Sequence, residues 1–163
     1  RKVLRKEKFE IRFDSAFQQV IKACADVRTQ QGEGTWIIPE MQQAYTELHQ
    51  EGFAHSVESW QDGKLKGGLY GISLGQCFFG ESMFSTKNDS SKVALVALAE
   101  FSQQVGIKMI DCQMTTAHLL SLGAREIKRK VFLKNLKKYI EEPTLKGSWD
   151  SVSTSIKANK FQN

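Results

Sequence analysis

The chain has 163 residues, 40% of them apolar and 25% charged, with a formal net charge of +5. That length accommodates one domain with a substantial core, and the composition excludes a disordered or collagen-like chain. No apolar run approaches the roughly 20 residues that span a bilayer, which excludes a transmembrane helix.

Taken in order, residues 9–13 alternate and predict a short strand. Asp14 and Ser15 suit an N-cap, and Phe17, Val20, Ile21 and Cys24 fall on one face of a helix reaching about Val27. A loop over 30–34 leads into Thr35–Ile38. Pro39 then opens a second helix with a stripe of Met41, Ala44, Tyr45 and Leu48, and Gly52 lies beyond its end. Residues 54–60 alternate, Asp62-Gly63 is a hairpin turn, and 65–74 form the returning strand. Gly67, Gly68 and Gly71 within that strand predict a bulge or a close backbone approach. After a turn at Gly75, residues 77–79 form a third strand and 81–89 a loop. Asn88, Asp89 or Ser90 caps a helix to Val105, with Val93, Ala97, Leu98 and Phe101 inward and Gly106 at its end. Then come a strand over 107–113, a short helix over 116–121, a strand over 124–127 and a basic helix over 131–140. Residues 141–163 are polar and aperiodic and read as a tail draped on the surface or poorly ordered. The order predicts an α+β domain over residues 1–140 with a mixed, mainly antiparallel sheet flanked by helices.

The charge is segregated. Residues 1–8 and 125–138 together carry 12 of the 23 bases and only 2 of the 18 acids, so the rest of the chain is acidic. Such segments suit a phosphate backbone through counterion release, or form solvated faces. Cys24, Cys77 and Cys112 are odd in number and far apart, which predicts buried free thiols rather than a disulfide framework or a zinc site. His49, His55 and His118 lack metal-ligand spacing, so no metal or cofactor is expected. The opening Arg1 is not an initiator methionine, which points to a fragment or a processed chain. No secretory leader opens the sequence, and a cytoplasmic monomer is the expectation.

Three polar residues stand beside apolar ones at the ends of predicted strands: Glu81, Asp111 and Gln113. If 107–113 is one strand, Asp111 and Gln113 project to the same face and Cys112 to the other. Asp111 can then accept a hydrogen bond from the Gln113 side-chain amide and fix its carbonyl. Such a group is either a cluster tying loops to the sheet or a reaction centre. Nearby apolar residues, among them Trp36, Leu69, Phe78 and Ile110, are either core or the lining of a pocket.

Several stretches carry a resemblance. They are Glu33-Gly34-Thr35-Trp36-Ile37, Ala54-His55-Ser56-Val57-Glu58, Gly67-Gly68-Leu69-Tyr70-Gly71, Phe79-Gly80-Glu81-Ser82-Met83-Phe84-Ser85, Ser91-Lys92, Asp111-Cys112-Gln113, His118-Leu119 and Ser121-Leu122-Gly123-Ala124. In this order, over about residues 1–136, they resemble the leucyl/phenylalanyl-tRNA–protein transferase family. The resemblance implies an N-acetyltransferase-like fold. It also implies transfer of Leu, Phe or Met from aminoacyl-tRNA to an N-terminal Arg or Lys, marking the acceptor protein for degradation. It assigns Glu81, Asp111 and Gln113 to the reaction centre, and Trp36, Leu69, Phe78 and Ile110 to the aminoacyl and adenosine pocket. Arg1, Lys2, Arg5 and Lys6 match a stretch that holds the tRNA. A preceding portion of the family, which supplies part of the adenosine site, is not in this sequence, and Lys128 stands where the family often has proline. The alternatives are an acyl-CoA-dependent N-acyltransferase, for which the 85–90 loop lacks a glycine-rich pyrophosphate cradle, and a noncatalytic RNA-binding module.

Overall fold

A computed structural model describes residues 9–30 and 34–153. Five strands form one sheet in chain order: β1 (Glu10–Phe13), β2 (Ala54–Gln61), β3 (Lys64–Leu74), β4 (Cys77–Ser85) and β5 (Met109–Asp111). The first four pair antiparallel, and β5 joins β4 in parallel. That is the expected α+β arrangement with a mixed, mainly antiparallel sheet. The helices are α1 (Phe17–Gln30), α2 (Pro39–Gln50), α3 (Ser90–Val105), α4 (Ala117–Ser121) and α5 (Arg129–Ile140).

Helices cover both faces of the sheet. On one side α1 and α2 bring Val20, Ile21, Cys24 and Tyr45 onto Ala54, Tyr70 and Phe84. On the other, α3 brings Ala94, Leu98 and Phe101 onto Val57, Leu69 and Phe78. Six successive residues of β2, Ala54 to Ser59, are therefore buried although the sequence alternates. The polar positions of that alternation, His55, Ser56, Glu58 and Ser59, are inside, and polar groups inside a fold must be hydrogen-bonded.

Asp14 supplies much of that satisfaction. Its backbone sits in the left-handed region at φ 55°, and its carboxylate accepts from Ser56 N–H (2.9 Å), His55 Nδ1 (2.9 Å) and Trp149 N–H (2.7 Å). Ser15 donates from Oγ to Glu58 at 2.7 Å. The two residues expected to cap α1 are thus spent on long-range contacts, and the helix starts at Phe17. Trp149, fully buried, stacks on the His55 ring at 3.9 Å and joins the α3-side core with Leu145 and Val152. The segment read as a surface tail does run largely exposed over the surface, but it is pinned by buried Trp149 and Ser153. Its one tryptophan was too sparse a pattern to announce a buried element.

Other departures bear on the site. β4 runs to Ser85, so Glu81 lies in a strand rather than in a loop over 81–89. β5 ends at Asp111, two residues short of Gln113. Residues 124–127 form no strand: the sheet edge beyond β5 stays unpaired there. Ala44 faces solvent, outside the buried part of the α2 stripe. The glycines of β3 bring both expected features. A bulge falls at Tyr70/Gly71, and a Cβ on Gly71 would collide with the Phe79 carbonyl and the Phe78 ring.

Candidate active site

Two local irregularities build the cluster. Between β3 and β4, Tyr70 faces Ser82 and Gly71 faces Gly80, so Glu81 is the extra residue of the bulge. A bulge bends its strand and re-aims a side chain, here toward the end of β5. The parallel pairing of β4 with β5 stops at Phe79 and Asp111. β4 continues while the chain after Asp111 turns away, and Gln113 adopts φ 60°. A wedge opens between the diverging segments.

Within it, Gln113 is held at three points. Its backbone N–H donates to Asp111 Oδ1 at 2.9 Å, and its Nε2 donates to the Gly80 carbonyl at 3.2 Å and to Glu81 Oε1 at 3.5 Å. The expectation that Asp111 grips the side-chain amide is corrected. With the strand ended, Asp111 closes a short turn through the backbone, and β4 orients the amide. Gly80 O and Glu81 are acceptors, so the nitrogen must face them, and among the described residues nothing donates to Gln113 Oε1.

Tyr45 completes the group. It is buried in the α2 stripe, yet the Glu81 carboxylate lies near its hydroxyl. Burial first, and the Glu81 charge second, hold that phenol well above its ordinary range, so it stays a donor. Sequence reasoning assigned Tyr45 to the core only. An aromatic on an apolar helical stripe carries no sign of what its hydroxyl meets across the fold.

Beside the wedge lies a cavity of about 210 Å³ lined by Leu69, Phe78, Met83, Leu98, Ile110 and Glu81, among others. Three of the four expected pocket residues are here. That volume falls below the roughly 300–1,000 Å³ of sites for drug-sized ligands and suits one large side chain. Trp36 does not line it: it is 41% exposed and meets the Tyr45 ring edge-on at 6.2 Å. Arg1, Lys2, Arg5, Lys6 and Glu33 lie outside the described residues. Cys24 and Cys77 are buried free thiols as expected, but Cys112 is only partly buried and lines the cavity. Burial, then the nearby Asp111 charge, raises its thiol, so it is a poor source of thiolate. His55 and His49 belong to the Asp14 network, and His118 lines the slot.

The model of the family described as leucyl/phenylalanyl-tRNA protein transferase matches residues 1–137. The chain belongs to this family. It is 59% identical over 161 residues to the leucyl/phenylalanyl-tRNA–protein transferase of Aromatoleum aromaticum, a match covering 99% of this chain and 68% of that protein. It is 56% identical over 153 residues to the one from Desulfatibacillum aliphaticivorans, covering 94% and 66%. The chain thus spans about two thirds of the length of these relatives. Among solved structures, an aminoglycoside acetyltransferase in complex with a bisubstrate analogue superposes with TM-score 0.57 at 14% identity, covering 76% of this chain and 95% of that one. A GNAT family acetyltransferase from Staphylococcus aureus gives 0.53 at 12%, covering 75% and 95%. The family member therefore has the N-acetyltransferase-like fold that its sequence implies. No helix among the described residues is long and apolar enough to cross a membrane.

Proposed function

We propose that this chain transfers Leu, Phe or Met from aminoacyl-tRNA to the N-terminal Arg or Lys of acceptor proteins, marking them for degradation, with Glu81, Asp111 and Gln113 at the reaction centre. The observation that carries the reading is Gln113, held by Asp111, Gly80 and Glu81 with no described residue donating to its Oε1, while Glu81 itself lines a slot sized for one apolar side chain. An aminoacyl-tRNA is an activated ester, so a neutral amine placed against its carbonyl carbon suffices. The amine forms the new C–N bond, and the tRNA leaves as its terminal ribose hydroxyl. Gln113 Oε1 accepts a hydrogen bond from the attacking amine and holds it in line. Positioning of this kind supplies several kcal/mol of a barrier. A free α-amino group titrates near 7.7–8.0, so a useful neutral fraction is present at neutral pH. Glu81, near the Tyr45 hydroxyl, attracts the cationic side chain of the acceptor. The greasy slot of Leu69, Phe78 and Ile110 takes the aminoacyl side chain. It discriminates loosely, since one methylene is worth only about 1–3 kcal/mol.

An acyl-CoA reading gains nothing from the fold likeness, because at 12–14% identity that likeness speaks for architecture alone, and residues 85–90 hold no glycine for a pyrophosphate. The test is direct. Full-length protein, labelled Leu-tRNA and an Arg-starting peptide should yield labelled peptide. Asp111→Ala should cut the transfer rate while sparing tRNA binding, because it frees Gln113 from its turn. Lost binding with unchanged chemistry would contradict the assignment.

A further inference from the structure

One feature of the charge pattern has no part in the reaction centre: the basic run over residues 125–138. Its helical portion, α5, contains no buried residue. Phe132, Asn135, Leu136 and Tyr139 are half-buried against the fold, and Lys130, Lys134, Lys137 and Lys138 are exposed. At about 100° per residue these four lysines fall within an arc of about 100° opposite the packed face, and they extend about 12 Å along the axis. Among the described residues none of them is within ion-pair distance of an acid. Lys138 only overlies the Tyr139 ring, at 5.8 Å. The helix is anchored at its far end, where the Tyr139 carbonyl accepts from Gln76 N–H at 2.8 Å.

Its near end opens on the reaction centre. A groove of about 830 Å³ is lined at one end by Asp111 and Gln113, and elsewhere by Lys108, Arg125, Arg129 and Phe132. Glu126 also lines it, so three cations stand beside two carboxylates along this groove.

We propose that the lysine face of α5 binds the phosphate backbone of the donor tRNA. This rests on the aminoacyl-tRNA reading above. The geometry supplies charge complementarity: four exposed lysines on one helix face, with no acid within ion-pair distance among the described residues, meet a polyanion. The contact is with phosphates, so it gives affinity without sequence preference.

The experiment compares full-length protein with the combined Lys130→Gln, Lys134→Gln, Lys137→Gln and Lys138→Gln variant, using two donors: Leu-tRNA and leucyl-adenosine, which has no stem. The expected result for Leu-tRNA is a KM raised about tenfold or more with kcat unchanged. The slope of log affinity against log salt should flatten by about 2–4, at roughly 0.7–0.9 per lost phosphate contact. Transfer from leucyl-adenosine should not change, and the matching four-fold Lys→Arg variant should behave as the unaltered protein. An unchanged KM and salt slope for Leu-tRNA overturns the proposal, as does an equal loss with leucyl-adenosine, which would place the effect in the fold or the reaction centre. If the variant loses only its co-sedimentation with phosphatidylglycerol vesicles, the face serves lipid instead and the proposal also fails. If the unaltered protein transfers from neither donor, the aminoacyl-tRNA reading falls first.

Discussion

Two polar clusters in this molecule share a construction and differ in outcome. Each is built on a non-glycine residue in the left-handed region, Asp14 at φ 55° and Gln113 at φ 60°. Each ties segments distant in sequence. Asp14 is shut off from solvent, and its carboxylate is filled by donors from β2 and from the Trp149 segment. The Gln113 amide spends its nitrogen on Gly80 and Glu81, and among the described residues nothing donates to its oxygen beside the larger groove. Backbone strain and polar side chains among apolar ones therefore do not by themselves distinguish a clasp from a reaction centre. Spare hydrogen-bonding capacity facing a cavity does, because a saturated group has nothing left to offer a reacting atom.

That contrast can be broken by exchange of effects. Asp14→Ala should have the largest consequence, and on stability alone. It strands the His55, Ser56 and Trp149 donors in the interior, and removing one partner of such a buried set costs about 3–5 kcal/mol. Urea unfolding would read the loss; a stable variant with impaired transfer would instead move Asp14 to the reactive side. Gln113→Ala should do the converse. We expect a fall in kcat of about 100-fold, the scale of a misplaced reactant, with an unfolding midpoint close to that of the unaltered protein.

Tyr45→Phe probes the joint between core and site. The ring keeps its packing on Tyr70 at 5.3 Å, and only the hydroxyl near Glu81 goes. Transfer to Arg-starting peptides should drop about tenfold, and stability by about 1 kcal/mol, the usual worth of one hydrogen bond. Steady-state kinetics showing no change would remove Tyr45 from the site.

Glu58 offers the smallest and sharpest test. Its carboxyl is held above its ordinary value of 4.5, foremost by burial, against the opposing hydrogen bonds from Ser56 and Ser15. A raised carboxyl favours the protonated form in the folded state. Its contribution to stability is full below 4.5 and is lost as pH rises through the higher folded value. Glu58→Gln should flatten the stability–pH curve above 4.5. A curve of unchanged slope would mean that Glu58 does not titrate in that window.

Much of this was legible from residue order. Asp62-Gly63 at a hairpin, Pro39 opening α2, Gly106 closing α3, and the apolar faces of α1 and α3 are local signals, decided within one turn or one strand pair. The family and its fold were legible too, because the motifs from Gly67 to Gly71, Phe79 to Ser85 and Asp111 to Gln113 stand in a fixed order. What residue order alone did not decide depends on groups that meet only after folding. The bulge that aims Glu81, the end of β5 before Gln113, the Tyr45 hydroxyl near Glu81 and the burial of Trp149 on His55 are all of this kind. The bulge is set by register across the β3–β4 hairpin and the others by partners dozens of residues away, and no local periodicity encodes either.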